Sequence, residues 1–153
     1  PRSTLFPYTT LFRSVLECDN GQRVGCLYAG MIYEEMGDEK KSEKQFDLNC
    51  CKKKETMSCI LLIEKYLKTG NKGKVDYYYN KLPGTMPAKK EGFIPWAKIV
   101  WDLKKDIDSA IGILNLGIVL ELLSIEEVES DKRLQEIRNT EEYKEMIKRK
   151  IKK

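Results

Sequence analysis

Apolar positions along the chain fall into blocks that alternate in kind. From Val24 to Tyr33 nearly every residue is apolar or small, with Gly25, Cys26, Leu27, Ala29, Gly30, Met31 and Ile32 between them. A helix apolar on most sides is covered on more than one side, so a helix over about Gly21 to Met36 reads as an inner one. Gly37-Asp38 follows, a glycine for the positive φ of a helix end and an aspartate to cap the next helix. The second block, roughly Glu39 to Lys52, keeps Ser42, Phe46, Asn49 and Cys50 near one face. Lys40, Lys41, Glu43, Lys44 and Asp47 take the others, so this helix reads as outer and solvated. The alternation then recurs. Glu55 to Thr69 is again rich in apolar residues, Gly70-Asn71 turns the chain, and Lys72 to Leu82 presents Val75, Tyr78, Tyr79 and Leu82 before Pro83-Gly84.

The recurrence has a fixed period. Cys18, Cys26, Tyr33, Gly37 and Phe46 are answered 33 residues later by Cys51, Cys59, Tyr66, Gly70 and Tyr79. A period in the low thirties is the signature of stacked helical hairpins. Gly30 lowers helix propensity by about 1 kcal/mol relative to alanine, and close approach of the helix carrying Phe46 explains it. Tyr33 is expected to be mostly buried. The run Tyr77, Tyr78, Tyr79 invites a role in stacking on bases, but its helical spacing fits core packing better. From Leu82 to Pro95 the chain holds Pro83, Gly84, Pro87, Gly92 and Pro95 and reads as a loop or linker. Trp96, Ile99, Val100 and Leu103 then mark another inner helix. Asp106 opens its partner, in which Gly117 takes a packing position. Ser124-Ile-Glu-Glu has a capping-box pattern, Asp131 caps a second short helix, and Asn139 and Glu142 stand where a last helix begins. The basic residues that end the chain, Lys148, Arg149, Lys150, Lys152 and Lys153, are favourable at a helix C-terminus. No strand is expected after Val15.

The N-terminus stands apart. Thr4 to Ser14 reads TLFPYTTLFRS, which resembles the in-frame translation of a sequencing-library adapter. Residues 1–14 are therefore set aside as a non-native leader, expected to pack poorly. The alternative is a natural β-prone segment, since Leu5, Phe6, Tyr8, Leu11 and Phe12 are apolar or aromatic.

Gly30, Tyr33, Ser42 and Phe46 sit where the tetratricopeptide repeat places its glycine, tyrosine, small residue and aromatic, with Cys26 at the usual tryptophan position. The second copy keeps Leu62, Tyr66 and Tyr79 but has Ile63 and Val75 at the two small positions. Cysteines recurring across the inter-repeat loop resemble the cysteine-rich Sel-one-like repeat proteins of bacteria, although the usual Gly-x-Gly-Val turn is lacking. The resemblance implies an all-α, right-handed α-α superhelix over residues 15–153. Its hairpins would cover about 21–52, 55–82 and 95–121, with a helical C-terminal cap over 124–153. It also implies a protein or peptide partner on a concave face. Val24, Leu27, Met31, Glu34 and Glu35 would line that face from the first hairpin, and Met57, Ile60, Glu64, Leu67 and Lys68 from the second. That mixture is unlike the Lys/Asn clamp that captures C-terminal carboxylates. Some cysteine-rich relatives bind or hydrolyse β-lactams, which gives the alternative function, but no Ser-x-x-Lys occurs here.

Composition narrows the chemistry further. The chain has 153 residues, a net charge of +4 and no histidine, which removes most acid–base and His-metal chemistry. The charge is too mild to imply a nucleic-acid partner. The longest apolar segment, Ile111 to Leu123, falls short of the roughly 20 residues of a membrane span. All-thiolate metal sites use Cys-x-x-Cys knuckles, and none is present. No Gly-rich phosphate loop follows a strand. The expectation is a non-catalytic scaffold with no cofactor and no metal.

Five cysteines remain to be placed. A chain reversing across seven intervening residues can bring two Cα atoms to the roughly 5.5 Å that a disulfide needs. Closing so short a loop stabilises by roughly 2–3 kcal/mol in the chain-entropy account. The spacing therefore predicts Cys18–Cys26 and Cys51–Cys59 bonds with Cys50 free, and a periplasmic or secreted location. The alternative is five small buried thiols in a reduced cytoplasm.

Overall fold

The computed structural model describes residues 5–83, 86–87 and 90–151, and among them every regular element is helical. The expected stop at Gly84 and the last two lysines, Lys152 and Lys153, lie outside the described residues. The chain forms two compact units, Pro1–Ala88 and Lys89–Lys153. Their boundary falls within the Pro/Gly-rich stretch 82–95.

The first unit holds α1 (Leu5–Asp19), α2 (Arg23–Glu35), α3 (Glu39–Asp47), a π-helical turn (Leu48–Lys52), α4 (Thr56–Lys68) and α5 (Lys72–Lys81). Both hairpin turns use the same device at the same period. Gly37 and Gly70 end α2 and α4 at φ +76° and +69°. One residue on, the carboxylate of Asp38 and the side-chain amide oxygen of Asn71 each accept a backbone N–H of the next helix at 3.2 Å. Between hairpins the left-handed position is Gly21 (φ +89°) and, 33 residues later, Lys54 (φ +56°).

Gly30 does what its position implies. A Cβ built there would lie 2.4 Å from Phe46 Cε1, so the aromatic ring rests on the bare backbone of α2. Gly25 plays the same part against α1, its Cβ position lying 2.6 Å from Glu17 Cβ and 2.8 Å from Cys18 N. Tyr33 is mostly though not fully buried, as expected. Its ring lies at the hairpin edge with the Lys41 ammonium 5.5 Å from its centroid. In α5, Val75 and Tyr78 are buried and Tyr79 half-buried, with Tyr78 stacked on Tyr66 at 5.7 Å between ring centroids.

Residues 5–14 are neither strand nor poorly packed throughout. They continue α1 without a break at residue 14, and Leu11 and Ser14 are buried in phase with Cys18, while Tyr8 and Phe12 stay exposed. Once Val15–Asp19 is helical, extending it adds a hydrogen bond per residue without a new nucleus. That accounts for a helix where the β-prone alternative called for a strand.

The second unit holds α6 (Phe93–Lys104), α7 (Ile107–Val119), α8 (Ile125–Ser130), α9 (Gln135–Arg138) and α10 (Glu141–Ile151). Its core is Phe93, Ala97, Leu114, Val128, Leu134, Ile137 and Tyr143. The helix begins before Pro95 and not after it. Proline at the third helical position forgoes no bond, because the first four N–H groups of a helix lack intrahelical acceptors. Gly117 seats Leu123, whose Cδ1 lies 2.8 Å from where a Cβ would stand. The capping box forms with Glu127 N–H donating to Ser124 Oγ at 3.0 Å and Ser124 N–H donating to Glu127 Oε2 at 2.8 Å. Asp131 Oδ1 accepts from Arg133 N at 2.9 Å. The cap of α10 is Thr140, whose Oγ1 accepts from Tyr143 N at 3.3 Å; Asn139 and Glu142 do not serve there.

Candidate functional site

The ten residues assigned to a binding face part company. Leu27 and Ile60 are fully buried and Met57 is 8% exposed, so these three belong to the core of the first unit. The reason lies in the helices beside them: α2 packs against both α1 and α3, and α4 against the α3–π segment and α5. Val24, Glu34, Glu35, Leu67 and Lys68 are exposed, and Met31 and Glu64 half-buried.

Three of the ten do meet. Glu34 from α2 and Glu64 and Lys68 from α4 line one cleft of the first unit, floored by Phe46 and Leu61 and closed by Gly37 and Glu43. Neither glutamate has an ion-pair partner among the described residues, and neither has Lys68. The other cleft lysine is committed: Lys65 Nζ lies 3.1 Å from Glu43 and 3.8 Å from Glu39.

Glu43 is the residue that sequence reasoning missed, having been placed on a wet face. It ties three helices together. Its carboxylate accepts from the Tyr66 hydroxyl and Lys65 of α4 and from Lys74 of α5, the last at 2.9 Å. Lys74 also donates to the Tyr66 hydroxyl at 2.6 Å and sits 4.4 Å from that ring's centroid. Burial works against the Glu43 charge, but the Tyr66 hydroxyl and the two ammonium groups outweigh it and pull the carboxyl down to about 2. The available signal was its place between Ser42 and Phe46, at the margin of the buried face of α3.

A second polar cluster is internal. Glu55 caps α4, accepting from Met57 N at 2.9 Å, Ser58 N at 2.7 Å and Ser58 Oγ at 2.8 Å. The buried Asn49 amide donates to Ser58 Oγ at 2.9 Å and to the Arg23 carbonyl at 3.0 Å, linking the π turn to the starts of α2 and α4.

Two disulfides flank this cluster. Cys18–Cys26 joins α1 to α2 as expected. The second pairs Cys50 with Cys59, joining the π turn to α4, and leaves Cys51 as the free thiol. The expected Cys51–Cys59 bond and free Cys50 are thus corrected by one residue. Hydrogen bonding at the two helix ends explains the slip. After Cys18 the chain closes with Gln22 N–H donating to the Glu17 carbonyl, five residues back. After Cys50 it closes with Glu55 N–H donating to the Asn49 carbonyl, six residues back. The π turn, whose Lys53 N–H reaches the Leu48 carbonyl, holds the additional residue. Counting back from the N-cap, the cysteine facing α4 therefore comes one position earlier.

Cys51 instead faces α5, with its sulfur 3.8 Å from the Tyr77 hydroxyl and 3.5 Å from Asp47. Burial raises this thiol above its ordinary value. Among the described residues no group of three or more Cys, Asp or Glu side chains is placed to hold a metal ion. No helix among them is long and apolar enough to cross a membrane. No family model, curated protein or solved structure matches the chain.

Proposed function

We propose that the chain is a non-catalytic scaffold of the tetratricopeptide or Sel-one-like kind, which takes a segment of a protein or peptide partner in the α2–α3–α4 cleft. The observation that carries this is the pair Glu34 and Glu64. Two carboxylates from different helices line one cleft over Phe46 and Leu61, with Lys68 the single uncommitted cation beside them among the described residues. The surplus charge favours a segment with a basic side chain next to an apolar one. The 33-residue reiteration of hairpin turns and caps supports a repeat scaffold. Two disulfides support an oxidising compartment, periplasmic or secreted, for its work.

The test is a fluorescence-anisotropy screen of short peptides carrying an apolar residue beside lysine or arginine, against acidic counterparts. Basic peptides should bind the native chain in a salt-sensitive manner, and Glu34→Gln with Glu64→Gln should weaken binding about tenfold or more, in the range of lost charge contacts. Equal binding of acidic and basic peptides, or binding unmoved by the double change, would rule out this cleft. Leu27 is unsuited to such a test, since a polar residue there would disturb the core.

A further inference from the structure

The two inter-hairpin junctions differ by one residue, and that residue separates two adjacent cysteines. Cys18 and Cys26 are 8 residues apart and Cys50 and Cys59 are 9 apart. The 33-residue register places Cys51, not Cys50, opposite Cys59. The π turn Leu48–Lys52 alone displaces it. A π turn is an α-helix carrying one inserted residue. Its position is a local choice of hydrogen-bond partner, and relocating it toward the N-terminus past Cys50 gives the first junction's register.

We propose that Cys51 is an alternative partner for Cys59, and that the second junction exists in two disulfide registers, Cys50–Cys59 and Cys51–Cys59, interchanged by relocation of the π turn. The chemistry needs no oxidant or reductant. Cys51 gives up its proton, and its thiolate attacks Cys59 Sγ. The Cys51–Cys59 bond forms as the Cys50–Cys59 bond breaks, and Cys50 leaves as a thiolate that takes up a proton. Cys50 and Cys59 are both fully buried, which shields their bond from thiols in solution. Of the five cysteines Cys51 is the one outside a disulfide, and it is the immediate neighbour of Cys50. It is therefore the sulfur positioned by the chain itself for the exchange. The groups facing Cys51 are Asp47 from α3 and Tyr77 and Lys81 from α5. In the alternative register its contacts to Asp47 and Tyr77 are given up, so the junction's hold on α5 changes with the pairing.

The experiment uses the full oxidised chain, held overnight in mildly alkaline buffer without reductant. It is then unfolded in acid, alkylated and digested, and fragmentation between residues 50 and 51 locates the label. The expected result is a fraction of chains labelled at Cys50, growing with incubation, besides those labelled at Cys51. Label confined to Cys51 at all times would overturn the proposal. A second arm refolds Cys50→Ser under oxidising conditions with helicity checked by circular dichroism. A helical product with no open thiol, both disulfides closed, is expected, and a helical product with Cys51 and Cys59 both labelled would overturn the proposal as well. Should Cys50→Ser fail to fold, the location of the label in the native chain decides alone.

Discussion

Glycine carries opposite burdens at two positions of the first unit. At Gly30 an added methyl would stand 2.4 and 2.6 Å from two carbons of the Phe46 ring, which is itself buried. Overpacking of this kind costs typically 1–3 kcal/mol. At Gly73, in the first turn of α5, the nearest atom to an added methyl is Asn71 Oδ1 at 3.9 Å. There the helix gains the roughly 0.5–1 kcal/mol that separates alanine from glycine. Urea unfolding should therefore show Gly30→Ala destabilised by about 1–3 kcal/mol and Gly73→Ala stabilised by up to about 1 kcal/mol. A neutral Gly30→Ala would mean that the ring does not rest on the α2 backbone.

Among elements, Glu43 is the common anchor of α3, α4 and α5. Its carboxyl is held at about 2 against an ordinary 4.5. A group whose folded value is depressed stabilises the fold above its unfolded value and loses that contribution as pH falls through the folded one. The window is thus pH 4.5 down to 2, and the contribution is at most about 3 kcal/mol. Glu43→Gln should lower stability at neutral pH and flatten the acid limb within that window, as read from urea midpoints at successive pH values. An unchanged acid limb would mean the carboxylate is not held by these partners. The elements themselves were legible because each signal was local: apolar blocks for α2 and α4, Gly37 and Gly70 for the ends, Asp38, Ser124 and Asp131 for the caps. Two kinds of information were not local. Whether Leu27 faces a partner or the interior depends on which helices flank α2. Which cysteine meets Cys59 depends on a single π turn that no propensity marks. Glu43 was hidden for the same reason, since its three donors arrive from 22 to 31 residues downstream.

On the scale of the molecule, both disulfides fall in the first unit and both span junctions between hairpins, leaving the turns at Gly37 and Gly70 unstapled. The second unit, from Lys89 on, contains no cysteine, so its apolar core is without a covalent staple. The loop closed by Cys50 and Cys59 holds Lys52, Lys53 and Lys54, of which Lys52 and Lys54 are exposed. Exposed loop residues are the preferred places for proteolytic nicking, yet here a cut does not part the chain. Limited trypsin treatment at this junction should leave a band of unchanged size on a non-reducing gel. The same sample should resolve into two fragments once reductant is added, and separation without reductant would show the bond open. A junction that invites a protease is thus one at which backbone continuity is dispensable, and a protein damaged there stays in one piece for as long as its surroundings remain oxidising.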